Sequence, residues 1–77
     1  MPARLQTANP RIRTEALSPR EREVLLWLQQ GLTDEDIARA LGLSTVTVRN
    51  HMARIRDKLH CRNRVQVLRV AQERGLL

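Results

Sequence analysis

The sequence predicts an all-α fold of four short helices, and three recurring features predict it. Ser18, Thr33, Ser44 and Asn63 are cap-forming residues, each placed just ahead of a run whose apolar side chains repeat at three and four residues. Glu21, Asp36 and Gln66 stand three residues after three of those caps, where a side chain can reach back to the start of a helix. Gly31, Gly42 and Gly75 stand where three of the runs stop. The expected helices cover about 19–30, 34–41, 45–59 and 64–74.

At 77 residues and 42% hydrophobic content the chain makes one small domain, near the lower limit at which a single core suffices. A partner or a dimer would add to it. The single cysteine, Cys61, excludes an internal disulfide framework. No apolar run approaches the roughly 20 residues of a membrane span. Arg4, Arg11 and Arg13 break any signal-peptide core, so the sequence reads as cytoplasmic, with no membrane partner. Residues 1–16, with two prolines, an Asn9-Pro10 step and three arginines, lack helical or strand periodicity and form an arm or linker ahead of a domain at 17–77. The segment reads either as a basic arm toward DNA or as a tether to a sensory domain, and the tether is preferred.

Ser18 opens the first helix, Pro19 takes the position where a missing N–H costs nothing, and Glu21 completes a capping box. Val24, Leu25, Trp27 and Leu28 form its apolar face, so Trp27, the only aromatic residue, is expected in the core. Thr33 and Asp36 box the second helix, Leu32 staples onto Ile37, and Ile37, Ala38 and Leu41 make one stripe. Gly42 then suits a left-handed residue, and Ser44 at once caps the third helix, whose Leu43–Val48 pair repeats the staple. The turn between them is therefore tight. Ala38 is small where two backbones would touch, and Val48 follows ten residues later on the inner face, which is the spacing of a helix-turn-helix.

At about 100° per residue, Val48, Met52, Ile55 and Leu59 fall in one narrow sector of the third helix and make its core seam. The opposite side presents Val46, Asn50, Ala53 and Asp57, flanked by Arg49 and Arg54. In the fourth helix Val67, Leu68 and Ala71 point inward. A second stripe of Val65, Arg69, Gln72 and Leu76 lies off that core and reads as a contact with a second copy, too small for an obligate interface.

Charge is distributed unevenly along the chain, whose formal net charge is +6. Residues 44–64 carry six cations against Asp57, a net +5, while residues 33–43 carry Asp34, Glu35 and Asp36 against Arg39, a net −2. A basic field on the second helix of such a motif fits a polyanion, and double-stranded DNA is the natural one. One aromatic residue cannot stack successive bases, which argues against single-strand platforms. A 15-residue helix is about 22 Å long, and the major groove is about 12 Å wide. Only the N-terminal half of the third helix therefore lies against base edges. There Ala53 keeps the surface low, while Arg49 and Asn50 offer donors and acceptors suited to guanine and adenine.

The run Leu17 to Leu25, then Gly31-Leu32-Thr33, Ile37-Ala38, Leu41, Ser44, Thr47 to His51, Lys58-Leu59 and Asn63-Arg64 resembles the LuxR/GerE-type DNA-binding domain of bacterial transcription regulators. The resemblance covers nearly everything after residue 16. It implies four helices, the third in the major groove and the fourth pairing two copies on a palindromic site. It implies base contacts at the positions of Arg49, Asn50 and Ala53, and Val46, on the same outward face, is expected to join them. It also implies phosphate contacts at Thr47 and nearby hydroxyl or basic residues, here Thr33, Ser44, Thr45, Arg54, Lys58 and Arg64. Such domains commonly end a two-domain regulator, behind a receiver or ligand-sensing domain, though free-standing members exist. The sequence departs from the pattern at Glu35, where lysine is usual, and at Ala53, where polar or basic residues are frequent.

No nucleophile–base set, glycine-rich phosphate loop or metal cluster is present, so no enzyme and no cofactor is expected. His51, His60 and Cys61 cannot complete a tetrahedral zinc site, and His51 is expected beside the core seam. Two alternatives share parts of the pattern. One is a sigma-factor region-four-like module, which would not require the capped fourth helix; the other is an interaction module that contacts RNA polymerase or a regulator.

Overall fold

The computed structural model describes residues 17–77. The arm-or-tether segment at 1–16 lies outside the described residues. Four helices follow one another: α1 (Pro19–Gln29), α2 (Asp34–Leu41), α3 (Thr45–Leu59) and α4 (Arg64–Glu73), and no strand occurs among the described residues. The all-α, four-helix class is as expected.

Each helix starts where its cap demands. Ser18 Oγ accepts the Glu21 N–H at 3.1 Å while Glu21 Oε1 accepts the Ser18 N–H at 2.9 Å, a reciprocal pair that satisfies two otherwise orphaned donors. Thr33 and Asp36 form the same box on α2. Ser44 Oγ accepts the Thr47 N–H at 3.1 Å on α3, and Asn63 Oδ1 accepts the Gln66 N–H at 2.9 Å on α4. Gln66 reaches one residue further back than expected, since its Oε1 accepts the Arg62 N–H at 2.7 Å. Gly42, at φ +68°, closes α2 in the left-handed conformation, and the Leu43 N–H returns to the Ala38 carbonyl at 2.8 Å.

Helix α3 packs against all three other helices and forms the axis of the core. Val48, Met52, Ile55 and Leu59 are all buried on it. Val24, Leu25 and Leu28 from α1, Ile37 and Ala38 from α2, and Val67 and Ala71 from α4 close around them.

The helix α1 core face differs from expectation at one position. Trp27 is 39% exposed, whereas Glu21 is 3% exposed. At 100° per residue Glu21 shares a sector with Val24, Leu25 and Leu28, and Trp27 lies about 110° away from its centre. The carboxylate, not the indole, fills the inner row.

Candidate nucleic-acid interface

The tight α2–α3 turn and the buried seam of α3 leave one face of that helix without a packing partner. Val46 is 63% exposed there, and Asn50 and Ala53 are exposed beside it. The face is low at its centre and bounded by the longer side chains of Arg49 and Arg54, both exposed. A helix of this kind can approach a groove closely at its middle and meet the groove walls at its edges. The expected reading residues are thus brought together on one surface.

The hydroxyl residues expected at phosphates lie at the two helix starts. Ser44 Oγ and Thr47 Oγ1 are 2.9 Å apart and hydrogen-bonded, Thr45 is half-buried, and Thr33 Oγ1 holds the Asp36 N–H at 3.2 Å. Thr33 and Ser44 are exposed and flank the first turns of α2 and α3, where unpaired backbone N–H groups carry partial positive charge.

Three of the expected cations already have carboxylate partners. Arg49 Nε lies 3.7 Å from Asp34 Oδ2, and its Nη2 lies 3.7 Å from Glu35 Oε2. Arg64 Nη1 donates to Asp34 Oδ1 at 3.3 Å and Nη2 to the Leu32 carbonyl at 3.2 Å, so Asp34 bridges α3 and α4. Lys58 departs most from its expected place. It points toward α1, where Nζ donates to the buried Glu21 Oε1 at 2.7 Å. Burial pushes the Glu21 carboxyl upward, but the Lys58 ammonium and the Ser18 N–H outweigh burial and hold it below its ordinary value. Among the described residues no ion pair engages Arg54, which leaves its guanidinium available at the edge of the exposed face.

Two cations that the sequence reading counted but did not place also belong here. Arg56 and Arg62 line a cleft of about 450 Å³ with Arg49, Arg64 and Asp34. Their charge was legible in sequence; their convergence depends on how α3 meets the start of α4. His51 packs as expected beside the seam, with its Nδ1 buried and without a hydrogen-bond partner among the described residues. On α4, Val65 is 71% exposed and Arg69 and Gln72 are exposed, but Leu76 departs from the expected stripe, because it lies beyond the helix end at Glu73 and is half-buried against the core.

A four-helix domain that presents a low, cation-edged helix behind a glycine turn is, as a class, a helix-turn-helix DNA-binding domain. The chain belongs to the luxR family of bacterial regulatory proteins, whose GerE model matches residues 15–71. The family is one of DNA-binding transcription regulators and is not an enzyme family. The chain is 43% identical over 61 residues to the transcriptional activator protein YukR of Yersinia ruckeri, a match covering 79% of this chain and 27% of that protein. It is 36% identical over 59 residues to the transcriptional regulatory protein DesR of Bacillus subtilis, covering 77% of this chain and 30% of DesR. The response regulator ChrA of a heme-sensing two-component system shares the fold with a TM-score of 0.79 at 39% identity, over 80% of this chain and 31% of ChrA. The chain therefore spans under a third of the length of each of these proteins. No described helix is long and apolar enough to cross a membrane.

Proposed function

We propose that this domain reads a specific double-stranded DNA sequence in the bacterial cytoplasm, with α3 in the major groove and two copies paired through α4 on a palindromic site. The observation that carries this reading is the exposed face of Val46, Asn50 and Ala53, low in the middle and edged by Arg49 and Arg54. Arg49 and Asn50 supply the hydrogen-bonding groups that distinguish bases. Val46 and Ala53 supply apolar contact, as to a thymine methyl. Thr33, Ser44, Thr45, Thr47, Arg54 and Arg64 hold phosphates on either side and set the register without reading sequence. Lys58, turned toward Glu21, holds α3 to α1 and is not assigned to a phosphate.

Pairing rests on the exposed α4 stripe of Val65, Arg69 and Gln72, with Leu76 turned to the core. It is weak alone and becomes effective when two copies lie on adjacent half-sites. The short coverage of the relatives supports a place as the output domain of a longer regulator, behind a receiver or ligand-sensing domain. No surface is assigned to RNA polymerase in this reading. Selection of bound duplexes from a random pool tests the proposal. A recurring, dyad-symmetric motif is the expected result, and the absence of any enriched sequence refutes it.

A further inference from the structure

We propose that the cleft between the last turns of α3 and the start of α4 is a binding site for a phosphate of the DNA backbone, with the guanidinium groups of Arg56 and Arg62 as its ligands. The inference extends the DNA-binding reading above to a surface outside the reading face. Four arginines converge on this cleft from α3, from the α3–α4 connection and from the first turn of α4, against the single carboxylate of Asp34. That carboxylate is already shared, with one oxygen on Arg49 and the other on Arg64. None of the ion pairs among the described residues engages Arg56 or Arg62. The cleft thus holds an excess of positive charge with two planar forks of donors unspent, the arrangement that binds a phosphate bidentately.

Geometry decides which phosphate. A helix with its side chains is about 10–12 Å across, and the major groove is about 12 Å wide. A helix that fills the groove turns its two flanks to the sugar–phosphate walls. At 100° per residue Arg49 and Arg56 lie on the same flank of α3, roughly 90° from the core seam, two turns apart. Arg56 stands in the last turn, where α3 has left the base edges and its flank meets the wall. Arg62 then adds a second donor from beyond the end of the helix. A volume of about 450 Å³ is open enough for a sugar–phosphate segment rather than fitted to a lone anion. Arg56 also sits favourably at the negative end of α3, an interaction that uses its charge and none of its N–H donors.

The 77-residue chain carrying Arg56→Gln, Arg62→Gln or both is titrated with an arbitrary-sequence duplex between 50 and 200 mM salt. Each single change is expected to shallow the slope of log K against log salt in part, and the pair to shallow it by about 0.9, the contribution of one phosphate. Affinity for an arbitrary and for a selected duplex should fall by the same factor. Lysine at both positions should restore most of the slope, which a purely structural role would not do, and helix content by circular dichroism should be unchanged throughout. A duplex with one neutral methylphosphonate stepped along the backbone should, at one position, erase the difference between the parent chain and the double variant. Unchanged slopes overturn the proposal, as does a loss confined to one sequence. Saturable perturbation of the arginine N–H resonances by inorganic phosphate at constant ionic strength, with DNA slopes unaffected, also overturns it and marks a free-anion site instead. Because the slopes are read on an arbitrary duplex, they remain informative if the random pool yields no motif, a result that would sink the sequence-specific reading alone.

Discussion

The Lys58 ammonium lies 2.7 Å from the Glu21 carboxylate across 37 residues of sequence, and this pair pins α1 to the last turn of α3. Glu21 is nearly fully buried and its Oε1 also takes the Ser18 N–H, so one oxygen serves both the cap and the bridge. Removing Lys58 leaves that charge without its partner, and Lys58→Ala should cost about 1–3 kcal/mol in chemical denaturation. Glu21→Gln keeps the shape, loses the charge and should cost less. An unaltered stability in Lys58→Ala would show the pair to be idle.

The same pair gives the fold a pH dependence. A carboxyl held below its ordinary value in the folded chain binds its proton less readily there than in the unfolded chain. The stability from Glu21 is therefore present above the unfolded value and is lost as pH falls through the lower, folded value. Asp36 is shifted the same way, by the Thr33 hydroxyl and N–H and by Arg39, and adds in the same direction. Thermal unfolding followed from pH 7 to pH 3 should show a falling midpoint, and Glu21→Gln should flatten the acid limb.

Arg49 reaches DNA only by leaving Glu35, or by taking it along. Both side chains are more than half exposed and 3.7 Å apart, so the pair is weak in itself. In the proposed complex its larger effect is on the DNA, because a carboxylate at the first turn of α2 would face a phosphate wall. Glu35→Gln should tighten binding to every duplex by a few-fold at low salt, and Glu35→Lys should steepen the salt slope by about 0.9 if the new ammonium neutralises a phosphate. Weaker binding by Glu35→Lys would mean that Glu35 positions Arg49 and does not oppose the backbone.

Val65→Glu should weaken binding to a full dyad site more than to an isolated half-site, since an exposed valine on α4 has no role in the domain's own core. Equal losses on both, measured by gel shift, would remove α4 from the pairing surface.

The starts of all four helices were legible because caps are local: a serine, threonine or asparagine and a partner three residues on carry the whole signal. The buried face of α3 was legible for the same reason, as a period of 3.6. The burial of Glu21 was not, because its warrant is a lysine 37 residues away, and without it the apolar Trp27 looks like the better core residue. The end of α3 at Leu59 falls where the sequence put it, but the residue that closes it was hidden. His60 adopts φ +58°, a conformation that glycine signals elsewhere in this chain and histidine does not. On the candidate site, the reading face could be drawn from the helical wheel alone. The Asp34 bridge and the Arg56–Arg62 cleft required the packing of α2, α3 and α4 to be known.

If Asn50 reads bases while Arg54 holds the backbone, the alanine variants at these two positions should differ in their bound-sequence profiles. Asn50→Ala should cost about 1–3 kcal/mol on the preferred site and relax selection at one or two base pairs. Arg54→Ala should weaken every duplex about equally, keep the profile, and shallow the salt slope by about one unit. A profile that survives Asn50→Ala and changes with Arg54→Ala would contradict the account, because α3 would then be rotated in the groove.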